Sequence, residues 1–194
     1  MRNVRIVAQR ELAQYFLSPI AYMVAFAILL LTGFLFNSDL GQRAGRLPPD
    51  GTAVLGVFGF FTVFFAPLIT MRLFAEEARE GTLELMLTMP VRDGDVVLGK
   101  FLGAWAYYSI ILGLTLVYQV IWLSITTFKA YQLSPELDIG PVISSYLGIW
   151  LFGGAALAVG LLFSAITENQ VVAGFLSIAT LFILNVGLFM NAGF

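Results

Sequence analysis

The stretch Met71–Lys100, MRLFAEEAREGTLELMLTMPVRDGDVVLGK, carries four of the chain's ten basic residues and six of its twelve acidic ones. Long apolar runs flank it, Ala53 to Met71 before and Val96 to Thr126 after. A charged segment between two such runs reads as a loop at a membrane surface. This one also has helical periodicity. Met71 to Glu80 can continue the preceding helix into water, with Glu76, Glu77, Arg79 and Glu80 solvated. Gly81 is placed to end that helix, because glycine accepts the left-handed conformation. Thr82 can cap a second short helix, and Glu84 in its first turn suits the helix dipole. Leu83, Met86 and Leu87 then form an i, i+3, i+4 stripe. Pro90 stops it, and Asp93 or Asp95 can cap the next span. An ordinary solvated hairpin loop is the plainer reading. Leu83, Leu85, Met86, Leu87 and Met89 are too many exposed apolar residues for it, and they call for the membrane interface or a partner surface.

Working outward, the rest of the chain is apolar. Hydrophobic residues make up 59% of 194 positions and charged ones 11%, with a mean hydropathy of +0.91. A soluble domain with so little charge would expose large apolar patches. A helical span needs roughly 20 apolar residues, and five segments qualify: Pro19 to Phe36, Ala53 to Met71, Val96 to Thr126 (longer than a bilayer needs), Val142 to Ile166 and Val171 to Met190. No repeating period-2 alternation suggests a β-barrel. The fold expected is an all-α polytopic membrane protein, a single transmembrane domain over residues 1–194. Before the first span, Val4, Val7, Ala8, Leu12, Tyr15 and Phe16 recur at helical spacing, with Arg2, Arg5, Gln9 and Arg10 mostly off that stripe. Residues 1–17 therefore read as an amphipathic helix in the interface plane, against the blander possibility of a frayed basic terminus.

Lysine and arginine orient the chain. Arg2, Arg5, Arg10, Arg72, Arg79, Arg92 and Lys100 fall on one side, and Arg43, Arg46 and Lys129 on the other. The N-terminus and the 72–95 loop are then cytoplasmic, in the inner membrane of the cell. Residues 37–52 and 127–141 become short outer loops, and Thr167 to Gln170 a tight inner turn. The fifth span runs outward with no charge after Glu168, from which a further span beyond Phe194 is expected.

Several chemistries are excluded by composition. The chain has no cysteine and no histidine, which removes disulfides, thiol catalysis and most zinc sites. No basic run suggests nucleic acid. Gly94-Asp-Val-Val-Leu-Gly99-Lys100 matches G-x-x-x-x-G-K, but Phe101 stands where a phosphate-binding loop needs Ser or Thr, and no strand precedes it. Within the spans, Thr62, Thr70, Gln119 and Asn185 are candidates for a pathway, with helix–helix hydrogen bonding the more ordinary role. Pro67 is expected to kink the second span. Gly153, Gly154, Ala155, Ala156, Ala158 and Gly160 form a small-residue packing face on the fourth. The spans carry no evident charge, which argues against a proton- or ion-coupled path.

The run Glu77-x-x-Glu80-Gly81-Thr82-Leu83-Glu84-Leu85-Met86-Leu87-Thr88-Met89-Pro90-Val91, followed by Gly99-Lys100-Phe101, resembles the inner loop of ABC-2 type transporter permeases. The resemblance covers nearly the whole chain. Within that family MRLFAEE and GTLELMLT look most like permeases of gliding motility. The family usually has six spans where this chain shows five. The resemblance implies an exporter's membrane subunit without chemistry or cofactors of its own, ATP and magnesium being held by a separate ATPase. Residues 76–90 would hold the coupling helix that docks into that ATPase, with Glu76, Glu77, Glu80, Gly81, Thr82, Leu83, Glu84, Met86, Leu87 and Pro90 as coupling residues. Residues 1–17 would be a connecting helix touching the same partner, and a second permease copy would complete the path. Three other readings stand beside this one. A secondary transporter or channel calls for buried ionisable groups or broken-helix repeats. A membrane enzyme calls for a catalytic cluster. A scaffold would anchor a soluble complex through the same loop. A linked ATP-binding-cassette reading frame would favour the first reading over these.

Overall fold

The computed structural model describes residues 2–43, 50–79, 81, 92–127 and 139–192. Among them the chain forms α1 (Arg2–Leu17), α2 (Pro19–Arg43), α3 (Ala53–Thr70), α4 (Ala75–Arg79), α5 (Asp93–Leu114), α6 (Leu116–Thr127), α7 (Gly140–Ile166) and α8 (Gln170–Ala192), and no strand. Five helical stretches are long and apolar enough to cross a bilayer: 19–43, 53–79, 93–125, 140–166 and 170–187. The expected all-α polytopic architecture is present. The first span runs past its apolar stretch as far as Arg43, because the polar residues after Phe36 continue the helix.

The centre of the bundle is α3. It packs against α2, α7, α8 and α5, and Val54, Leu55, Phe58, Thr62, Ala66 and Thr70 along it are fully enclosed. By contrast α2 and α8 keep apolar faces uncovered, with Phe26, Phe34, Phe175 and Ile183 exposed. Those faces are where hydrocarbon or another apolar surface must lie. Lipid tails are as apolar as leucine, so close packing and hydrogen bonds hold such helices together. Gly153 lies where a side chain would run into the Tyr108 ring, and Gly160 where one would run into the Thr70 hydroxyl. The small-residue face of the fourth span thus admits α5 and α3. Trp105 and Trp150 stack with centroids 4.4 Å apart, and Trp150 Nε1 donates to Ser109 Oγ at 2.9 Å, which adds a directional contact between α5 and α7.

Two spans depart from the simple reading. The long third span is two helices with an interruption at Thr115, whose hydroxyl donates back to the Leu112 carbonyl at 2.6 Å; such back-bonding competes with the helical ladder. The second span does not run on into water. It ends at Thr70, turns through Met71–Phe74 and resumes as the short α4. Pro67 supplies no amide near this end, and Thr70 Oγ1 donates to the Ala66 carbonyl at 2.8 Å. Ser164 of α7 then inserts into the break. Its Oγ accepts from the amides of Phe74 at 3.0 Å and Ala75 at 3.2 Å and donates to the Met71 carbonyl at 3.1 Å. Leu73, Phe74 and Ala75 are buried rather than solvated.

Candidate functional site

The charged end of the bundle gathers α1, the α3–α4 break, α4 and the first turns of α5 into one assembly. It begins with two glycines spaced four apart on α5. A side-chain carbon on Gly99 would lie 2.6 Å from Val7, and one on Gly103 would lie 2.7 Å from Glu11 Cβ and 3.1 Å from the Ala8 carbonyl. Only glycine lets the two helices approach this closely, the small-xxx-small device of membrane helices. The stripe Val4, Val7, Ala8, Leu12 and Tyr15 therefore meets protein. The N-terminal helix forms as expected, and Ile6, Phe16 and Leu17 are what it leaves exposed.

Close approach brings charge inside. Lys100 is 1% exposed, and its Nζ donates to Glu11 Oε1 at 2.9 Å and to Glu77 Oε1 at 2.7 Å. It also lies 5.2 Å from the centre of the Phe74 ring. Lys100 is thus no solvated flank of the loop, and the reading that the spans carry no charge fails here. The side chain comes from the second turn of a spanning helix, and the two carboxylates that hold it come from α1 and α4. A buried cation in low dielectric is tolerable only with such partners. The G-x-x-x-x-G-K pattern has its physical explanation in the same place. Gly99 is there to admit α1, Lys100 is held by carboxylates, and the whole stretch from Gly94 is helical.

Around this triad the assembly is cross-tied. Tyr15 stacks on Tyr107 at 4.7 Å and donates to the Ile69 carbonyl at 2.8 Å. Burial, aided by the Glu11 carboxylate, pushes the Tyr15 phenol well above its ordinary value, so it stays a donor. Tyr107 Oη donates to the Ala21 carbonyl at 2.7 Å. Arg72 reaches Glu76 through Nε at 3.1 Å and Ser18 through Nη1 at 3.3 Å. The Arg79 end of α4 borders a cleft of about 360 Å³ lined by Glu168–Val171, so the 167–170 turn sits beside α4.

Of the coupling residues, Glu76 and Glu77 lie on α4 and belong to this assembly. Gly81 has φ +69°, the left-handed value expected of it. Glu80, Thr82, Leu83, Glu84, Met86, Leu87 and Pro90 lie outside the described residues. Neither Asp93 nor Asp95 caps α5; Arg92 holds the cap position without a side-chain bond, and both aspartates sit in the first turn, where they complement the dipole. The polar residues of the spans divide. Thr62 Oγ1 lies 3.2 Å from Tyr108 Oη, and Gln119 Nε2 donates to the Gly51 carbonyl at 2.8 Å, both contacts between elements. Thr70 and Asn185 bond carbonyls of their own helices. Reasoning from sequence missed Glu11, Lys100 and Ser164 as site residues. A signal existed for Lys100: Gly99-x-x-x-Gly103 is a helix-docking spacing, and Lys100 falls inside it.

A family model described as ABC-2 family transporter protein matches residues 6–193. The chain belongs to that family. The resemblance noted in the 77–101 run is therefore matched over almost the whole of this chain, including most of α1 and the triad. A curated relative is the probable ABC transporter permease protein NosY of Pseudomonas aeruginosa, 26% identical over 170 residues, which are 86% of this chain. The chain spans 58% of the length of that relative. Family and helices together describe a multi-pass membrane protein of ABC-2 type.

Proposed function

We propose that the chain is the membrane-spanning permease subunit of an ATP-binding-cassette exporter, driven by a separate ATPase through residues 76–90. The observation that carries this reading is the clamp on Lys100. Glu77 lies in the first turn of the segment assigned to coupling, Glu11 lies on the connecting helix, and both grip one side chain of a spanning helix. A displacement of the loop is then transmitted to α5 and, through Ser164, to α7. The ATPase holds ATP and magnesium, and the permease contributes binding and movement only. The loop and N-terminus face the cytoplasm in the inner membrane, as their basic residues favour. Two copies pair through the uncovered apolar faces and enclose the path. The inner loop's likeness to gliding-motility permeases makes motility the first cellular role to test.

Coupling in this reading runs through Leu83, Met86 and Leu87 in an apolar cleft of the ATPase, with Glu80 and Glu84 at its rim. Anchors of that kind carry most of an interface's affinity. Tagged permease purified in mild detergent should bring down an ATP-binding-cassette subunit identified by mass spectrometry. The Leu83→Ser/Leu87→Ser variant should reach the membrane in normal amount and lose that subunit. Undiminished recovery with the double variant would refute the assignment of the loop.

A further inference from the structure

The third span carries a joint at Thr115. Its ψ is −14°, short of the α-helical value of roughly −42°. Its amide bonds the Leu112 carbonyl, and its own carbonyl accepts from the Tyr118 amide. A tight turn of i, i+3 bonds inside a helix often marks a hinge. The joint itself is fixed in place: Thr115 is buried, and its hydroxyl lies 3.0 Å from Tyr146 Oη of α7. Beyond it, α6 lies close along no other helix among the described residues, and Leu116, Val117, Val120 and Ile121 are exposed. Two long side chains reach across instead. Tyr118 Oη donates to the Leu29 carbonyl of α2 at 2.7 Å, and Gln119 Nε2 donates to the Gly51 carbonyl at 2.8 Å. Each reaches a notch. A side-chain carbon on Gly33 would lie 2.7 Å from Tyr118 Oη, and one on Gly51 would lie 3.0 Å from the Trp122 ring. The seating is incomplete. Gln119 Oε1 and Thr32 Oγ1 of α2 are buried without a partner among the described residues, and such atoms favour any arrangement that supplies one.

We infer that α6 is a gate leaf, hinged at Thr115 and latched onto α2 and the start of α3 by Tyr118 and Gln119. Interhelical hydrogen bonds contribute modestly inside a bilayer, so such a latch can release and re-form. Release would part α6 from α2 at the end of the bundle away from the Lys100 clamp and admit water to Gln119 Oε1 and Thr32 Oγ1. Lys100 lies on the same span, roughly 22 Å from the joint at a rise of about 1.5 Å per residue. A push at the clamp would reach the hinge through one helix, α5. The hinge requires only the helices described; its use as a gate rests on the permease reading.

The chain has no cysteine, so nitroxide labels attach only where cysteines are placed. Double electron–electron resonance on the purified chain in lipid nanodiscs, with labelled copies diluted into unlabelled ones, compares two pairs. One is Val120→Cys with Ile183→Cys, and the other is Ile110→Cys with Ile183→Cys. All three positions are exposed, on α6, α5 and α8. Tyr118→Phe/Gln119→Leu removes both latch bonds and keeps the side chains' bulk. In that background the Val120 pair should gain a second distance several ångströms from the first, while the Ile110 pair keeps a single one. Gly33→Leu, which displaces the Tyr118 ring from its notch, should act in the same way. A Val120 distance unchanged by both variants, or both pairs broadened alike, would overturn the hinge. No ATPase is present in this measurement, so its failure would leave the permease reading standing.

Discussion

At the scale of single residues, the molecule turns on Lys100. Its ammonium is out of water and has two carboxylates for company. Removing one partner of a buried ion pair costs roughly 3–5 kcal/mol, whereas replacing both partners by apolar groups is often neutral. Lys100→Met should therefore lower the thermal midpoint of the detergent-purified protein markedly. Glu11→Met/Lys100→Met should recover most of that loss, since Glu77 is the more exposed carboxylate and can hydrate. Followed by size-exclusion after heating, equal midpoints for wild type and Lys100→Met would contradict the clamp. Ser164 presents a second single-residue case. Its hydroxyl satisfies two amides and a carbonyl at the helix break, and leaving buried groups unsatisfied costs roughly 1–3 kcal/mol each. Ser164→Ala should destabilise the protein by an amount of that order, while Ser124→Ala, whose exposed hydroxyl bonds only its own helix, should not. Neither Lys100 nor Ser164 was legible as such. A lysine at the edge of a charged loop reads as solvated, and a serine in an apolar run reads as incidental. Their roles come from partners on α1, on α4 and at the α3 break, which lie far away in the sequence.

At the scale of elements, the spans were legible because hydrophobic length is a direct physical requirement of the bilayer. Helix α1 was legible for the same reason that its stripe repeats at helical spacing. What the stripe faces was not, since an apolar face packs equally well on lipid or on protein. The deciding feature is Gly99-x-x-x-Gly103, a groove cut for one helix to enter. Gly103→Leu should expel α1 from α5, because a side chain there meets the Ala8 backbone, which has no rotamer to change. Trypsin should then cut at Arg5 and Arg10 in folded, detergent-solubilised protein at least several-fold faster than in wild type, as cleavage follows local opening. Unchanged cleavage would mean that α1 is held elsewhere. The break after Thr70 was hidden for a different reason. Proline and threonine weaken the helix there, but the turn is completed by a residue more than ninety positions away.

At the scale of the whole molecule, the chain is a central helix wrapped by others, with its charged elements gathered at one end. The proposed reading puts that end in the cytoplasm, the side that the seven-to-three distribution of basic residues favours. Single cysteines at Ser38 and Ala78 check it in intact cells with a membrane-impermeant thiol reagent: Ser38 should label and Ala78 should not. The reverse would invert the topology and place the clamp outside.

The central claim is that the clamp passes movement from an ATPase into the spans, and the direct measurement is ATP hydrolysis by the reconstituted complex of permease and ATPase. Glu11→Met/Lys100→Met is the informative variant, because it removes the tie from α5 to α1 and Glu77 without stranding a buried cation. The expected result is a folded permease that still binds the ATPase but has lost most of its stimulation of hydrolysis. Stimulation at the wild-type level from that complex would contradict the claim.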